Sequence, residues 1–200
     1  MQAVYMAVQE RLTPERPVLV LYAGTGPLGW LILPLLSLFS AQQVQVTALD
    51  IHQFSLDSFR GLCKTLKLED RISDWVCADA TVWQPQSGAT YDLILSETMN
   101  QFLEQEPQVH IFANLQCCLK DGGSLIPQQV LLSVDLEWQE KQGRQQRDLG
   151  PVFCLDLDTA KALAQGHSEV LQTQILLHEF EPGPVDLKLN TAIQVYKQFW

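Results

Sequence analysis

The strongest constraint on this chain is the stretch Val18-Leu19-Val20-Leu21-Tyr22-Ala23-Gly24-Thr25-Gly26-Pro27-Leu28-Gly29. An unbroken apolar run is the mark of a strand covered on both faces in a parallel sheet. The run empties directly into a glycine-rich turn, and glycine belongs where the chain takes positive φ or lets a ligand touch the main chain. Pro27 suits the first turn of a following helix, whose positively polarised N-terminus favours anionic groups. The glycines spell Gly-x-Gly-x-x-Gly, and Asp50 ends the next apolar alternation at about the ~20-residue distance of a nucleotide-binding fingerprint. A carboxylate there is placed to accept from both hydroxyls of a ribose. A tight strand-to-helix turn without a ligand would show the same glycines.

The rest of the first part repeats the pattern. Residues 3–12 have helical apolar spacing and stop at Thr13-Pro14. Residues 17–22, 43–49, 72–77 and 91–95 read as strands, and residues 28–39, 55–66 and 108–119 as helices. Pro34 should kink or restart the second helix. Gly122 and Gly123 read as a helix C-cap before a fifth strand beginning at residues 124–126. Strands alternating with helices predict an α/β, Rossmann-like sheet with helices on both faces and a ligand at the strands' carboxyl ends. After Pro127 the pattern changes. Residues 130–138, 171–180 and 185–195 look strand-like, 159–165 helical, and 139–147 a polar loop. The expected organisation is a Rossmann-like domain over 1–127 and a β-rich extension over 128–200, a partial barrel or dimerisation element.

Lys and Arg total 13 against 23 Asp and Glu, a formal charge of -10. Such a field repels phosphate backbones, which argues against nucleic acid, and attracts basic peptides or cationic small molecules. The five cysteines form no Cys-x-x-Cys pair, so they read as reduced thiols of a cytoplasmic protein. The histidines are scattered singly, and no metal is expected. Residues 17–49 carry no charge and are long enough to raise a membrane span, but Gly24, Gly26, Pro27, Gly29 and Pro34 divide them into strand, turn and helix. No membrane association and no signal-peptide pattern is expected.

Two further stretches follow strand ends. Asp79, in Cys77-Ala78-Asp79-Ala80-Thr81, can accept from the exocyclic amine of an adenine while the backbone N–H of Ala80 meets a ring nitrogen. The segment Tyr91-Asp92-Leu93-Ile94-Leu95-Ser96-Glu97-Thr98-Met99-Asn100-Gln101-Phe102-Leu103-Glu104-Gln105-Glu106 resembles the protein arginine methyltransferases, whose fourth strand ends in Ser-Glu and whose loop carries a second glutamate. Glu97 matches the first and Glu106 the second, with Glu104 a competitor. Gln2-Ala3-Val4-Tyr5, Ala23-Gly24-Thr25-Gly26-Pro27-Leu28 and Leu119-Lys120-Asp121-Gly122-Gly123-Ser124-Leu125-Ile126-Pro127 are also similar to stretches of that family.

The resemblance implies a class I methyltransferase with S-adenosylmethionine as cofactor and S-adenosylhomocysteine as product. Its cofactor residues would be Tyr22, Ala23, Gly24, Thr25, Gly26, Leu28, Asp50, Ile51, Asp79, Ala80 and Glu97. Its catalytic pair would be Glu97 and Glu106, because two carboxylates can grip a planar, permanently charged guanidinium. The acceptor would be an arginine in a protein or a small amine or guanidine. Thr25 stands where the symmetric-dimethylating branch of the family has arginine. Two other functions fit parts of the sequence. One is a catalytically inactive cofactor-binding or structural partner. The other is a nicotinamide-dependent oxidoreductase, although no Tyr-x-x-x-Lys pair is present. The apolar terminus, residues 193–200, predicts an open edge strand that seeks a second copy, giving a homodimer.

Overall fold

The computed structural model describes residues 1–86, 88–98, 107–140, 143–175 and 185–199. Strand β1 (Val18–Ala23) is the centre of a parallel sheet. It pairs with β2 (Val44–Asp50) on one side and β4 (Tyr91–Ser96) on the other, with Val20 opposite both Val46 and Leu93. With β3 (Ile72–Cys77) and β5 (Leu119–Ile126) the order is β3-β2-β1-β4-β5. The winding direction reverses between β1 and β4, and that reversal opens a crevice at the strands' carboxyl ends.

Alternate residues of β1 feed two cores. Val18, Val20 and Tyr22 face helices α1 (Gln2–Gln9), α2 (Leu33–Leu36) and α3 (Gln53–Thr65), which contribute Val4, Val8, Leu36, Leu56 and Phe59. Leu21 and Ala23 face α4 (Gln108–Leu115) and α5 (Leu157–Ala164), which contribute Ile111, Phe112, Leu115 and Ala160. Each fully buried large apolar side chain is worth about 1.5–3 kcal/mol, which is why the unbroken run of β1 and the all-buried β4 lie at the centre.

Local expectations are corrected in three places. The helix expected over residues 28–39 shrinks to Leu33–Leu36, because Gly29 at φ +56° breaks the chain and Pro34 sits in the first turn, where its missing N–H costs nothing. Of the two outcomes expected for Pro34, a kink or a restart, the restart is the one found. The helix expected over 108–119 ends at Leu115 and passes through a 3-10 turn, Gln116–Cys118, straight into β5. Gly122 and Gly123 therefore lie inside that strand, where the pairing with β4 shifts register, and form a bulge rather than a helix cap. A Cβ at Gly123 would fall 2.9 Å from the Lys120 carbonyl oxygen.

The third correction concerns the second sheet, a separate antiparallel one of order β7-β6-β8. Strands β6 (Gln129–Glu140) and β7 (Gly143–Leu155) form a hairpin, so most of the polar loop expected over 139–147 is strand. Backbone pairing with Leu136–Glu140 of β6 carries this polar sequence into the sheet. Strand β8 (Val185–Gln194) pairs with the other side of β6. Of the strand expected over 171–180, the described part is a 3-10 turn, Ser168–Leu171, followed by irregular chain. Ile193 and Gln194 end β8, an outer strand of this sheet, and the residues after them turn back onto the first core. Tyr196 is buried in the α1 side of the first core, and its hydroxyl accepts from Arg11 Nη1 at 2.9 Å and donates to Glu10 Oε2 at 2.6 Å. No helix among the described residues is long and apolar enough to cross a membrane.

Candidate functional site

The carboxyl ends of β1, β2 and β3 and the first turn of α4 enclose a cleft of about 400 Å³, within the size range of small-ligand pockets. Its floor is the turn after β1. Gly24 and Gly26 take φ of +76° and +58°, a region that penalises any side chain. A Cβ at Gly26 would meet nothing within 4 Å, whereas one at Gly24 would fall 2.5 Å from Thr98 Cγ2. Gly29 has a different duty, since a Cβ there would strike the ring of Phe59 at 2.3 Å. It lets α3 close down on the turn.

Asp50, the last residue of β2, braces this turn from beneath. Its Oδ2 accepts from the Gly26 N–H at 2.8 Å and from Thr25 Oγ1 at 3.4 Å, and its Oδ1 accepts from the His52 N–H at 2.8 Å. A carboxylate offers about four acceptor positions, so capacity remains on the face that lines the cleft. Asp79 stands at the end of β3, where its Oδ1 accepts from the backbone N–H and the hydroxyl of Thr81 at 2.8 and 2.7 Å. Those two bonds hold its carboxyl below the usual carboxylate range. Ile51, Ala80 and Ile111 supply the apolar walls.

The cleft is lined by six of the residues expected from the sequence: Gly24, Gly26, Asp50, Ile51, Asp79 and Ala80. Four others are not at its surface. Ala23 and Thr25 are buried beneath the turn, and Leu28 lies outside the lining, partly exposed. Tyr22 points into the opposite core, toward α1, α2 and α3. Burial, with the charges of Glu97 and Asp50 adding to it, pushes its phenol up to about 12. Glu97 is exposed and follows the last residue of β4, beside Thr98, which does line the cleft. Glu104 and Glu106 lie outside the described residues.

Sequence reasoning missed the far wall of the cleft, formed by Thr98, Pro107 and Ile111, as well as His52 and Ser55. Pro107 and Ile111 are spaced one helical turn apart, a signal that they share a face. Nothing short of the topology says that this face meets β2 and β3. Ser96 adds an unusual feature. Its Oγ is the buried side-chain oxygen without a hydrogen-bond partner among the described residues, and it sits at the tip of β4.

These features suit an adenosyl cofactor. Bare main chain at Gly26, acceptor capacity at Asp50 for a diol, and apolar walls for a flat base occur together in one cleft of fitting size. Residues 20–123, just over half of the chain, match the model of a methyltransferase domain. The chain belongs to that methyltransferase family. Its cofactor is S-adenosylmethionine, and the nicotinamide reading is not favoured.

The chain resembles, in fold, two solved structures. One is a chain of the Trypanosoma brucei PRMT1 enzyme-prozyme heterotetrameric complex with AdoHcy, at TM-score 0.56 and 17% identity over 82% of this chain. The other is Arabidopsis thaliana protein arginine methyltransferase 10, at TM-score 0.50 and 22% identity over 70% of this chain. The chain spans 60% of the length of the first and 38% of the second. No curated protein matches it in sequence.

Proposed function

We propose that this protein transfers a methyl group from S-adenosylmethionine to a nitrogen nucleophile, the guanidinium of a protein arginine or a small amine or guanidine. The observation that carries the reading is the place of Glu97. A carboxylate follows the tip of β4 directly, next to the residue whose methyl group lies against Gly24. The likeness to a solved protein arginine methyltransferase and to a chain of a PRMT1 enzyme-prozyme complex supports a cationic acceptor, as does the net charge of -10.

S-adenosylmethionine held in the cleft would supply a methyl group already activated by its sulfonium, so the protein's main task is alignment: the N–CH3 bond forms as the S–CH3 bond breaks, S-adenosylhomocysteine leaves, and the acceptor nitrogen's proton passes to water. Asp50 accepts from the ribose hydroxyls while keeping its bond to the Gly26 N–H. Asp79 and the Ala80 N–H address the base. Glu97 holds the cationic acceptor by charge-assisted hydrogen bonds and turns its nitrogen toward the donor. Glu106 is proposed as the second carboxylate of the pair.

Glu97→Gln tests this. S-adenosylhomocysteine affinity should stay within about twofold, while methyl transfer to arginine-rich peptides, followed with a labelled donor, should fall about 100-fold or more. Equal loss of cofactor affinity would move Glu97 out of the acceptor site. Unchanged transfer would remove it from catalysis.

A further inference from the structure

Gln108, in the first turn of α4, is fully buried, an unusual position for an amide side chain. Its hydrogen bonds explain the burial. Nε2 donates to the carbonyl oxygen of Ser96 at 3.2 Å, while Oε1 accepts from the N–H of Thr98 at 3.1 Å and from its hydroxyl at 3.0 Å. One side chain thus grips the main chain on both sides of Glu97. Thr98 in turn rests its methyl group against Gly24, where a Cβ would fall 2.5 Å away. A line of contact therefore runs from α4 through Gln108 and Thr98 to the turn that floors the cleft.

The choice of residue follows from this geometry. The main chain leaving β4 offers a carbonyl on one side of Glu97 and an N–H on the other. Only a side chain with both a donor and an acceptor at its tip satisfies the two together. Glutamate at neutral pH lacks the donor, and methionine has no donor and only a weak acceptor. The amide also has one workable orientation, since flipping it would set its NH2 against the Thr98 N–H.

We infer that Gln108 is a positioning residue for Glu97: its amide fixes the peptide groups flanking the carboxylate and so sets its bearing relative to the glycine turn. This rests on the methyltransferase reading above. Chain leaving a strand end is ordinarily free to rotate, and alignment catalysis loses rate steeply with small displacements. Gln108 removes that freedom without itself lining the cleft.

The test requires no knowledge of the acceptor. Calorimetry compares binding of S-adenosylhomocysteine with that of sinefungin, in which a carbon bearing a protonated amine replaces the sulfonium and its methyl. A well-placed Glu97 favours sinefungin through its charge, and Glu97→Gln should reduce the affinity ratio about tenfold. Gln108→Met conserves bulk but donates nothing and accepts only weakly. It should lower the ratio about threefold or more, with S-adenosylhomocysteine affinity within about twofold of wild type.

A folded Gln108→Met protein that keeps the wild-type ratio, while Glu97→Gln has lost it, overturns the inference and leaves the function standing. A ratio unmoved by Glu97→Gln itself overturns both. Should Gln108→Met fail to fold, Thr98→Val removes the hydroxyl half of the clamp alone. A shift of about twofold in the same direction is then expected, and none at all counts against the clamp.

Discussion

The two sheets of this protein are held together by different means. In the parallel sheet every residue of β4 is buried and β1 nearly so, with helices on either face. In the antiparallel sheet, by contrast, β8 is exposed along most of its length, with Leu187 64% accessible. Buried carboxylates bind its strands to each other. Asp135 accepts from Gln146 Nε2 and Asn190 Nδ2 at 2.7 and 2.6 Å, and Glu137 is paired with Arg144 and Lys188. One sheet coheres by excluding water, the other by cross-strand polar bonds around a single well-covered strand, β6. The cleft lies at the strand ends of the first sheet, the better buried of the two.

The contrast predicts very unequal responses to substitution. Phe59→Ala should cost about 3–5 kcal/mol, because it empties a fully buried site and withdraws the ring on which the glycine turn rests. Urea unfolding would show it, and a loss near that of a surface residue would mean that the first core repacks freely.

A second, smaller effect appears in acid. Burial alone would raise the carboxyl of Asp92. Bonds from Arg16, from the Leu19 N–H and from Lys120 outweigh it and hold the group at about 2. In the unfolded chain the same group titrates near ~3.9. The unfolded state therefore takes up the proton first as pH falls, so this contribution is whole above about pH 5 and is lost on the way down to pH 2. The urea midpoint of Asp92→Asn should consequently fall less steeply than that of wild type over that window. Parallel slopes would show that the network adds nothing specific.

The smallest effect belongs to the second sheet. Leu187→Ser should change stability by no more than about 0.5 kcal/mol, since the side chain is largely in water already. A loss several times larger would reveal that β8 is covered in solution and would erase much of the contrast.

The same difference decides what could be read from the sequence. Where burial sets the pattern, as in residues 18–23, 44–50 and 91–96, the apolar runs announced the strands within a residue or so. Where pairing sets it, as in Gly143–Leu155, the polar letters Arg144, Gln145, Gln146 and Arg147 looked like loop, because their partner strand was the missing information. Glycine was misread in one place for a similar reason. Gly122 and Gly123 suit a helix cap and a bulge equally, and only the register with β4 chooses. In the site, the glycine turn, Asp50, Asp79 and Ala80 are local to strand ends and were legible. Thr98, Pro107 and Ile111 face them only because the sheet reverses direction between β1 and β4.

The brace between Asp50 and the Gly26 N–H has a kinetic consequence. The bend after β1 is held in shape by a bond internal to the protein, so on the proposed reading an arriving nucleoside would find a finished seat. Little ordering is left for the encounter itself, and a preformed seat of this kind favours quick capture, with affinity tuned mainly by how slowly the guest departs. Loss of that carboxylate would therefore slow arrival as well as hasten departure, since it removes both a contact and the mould.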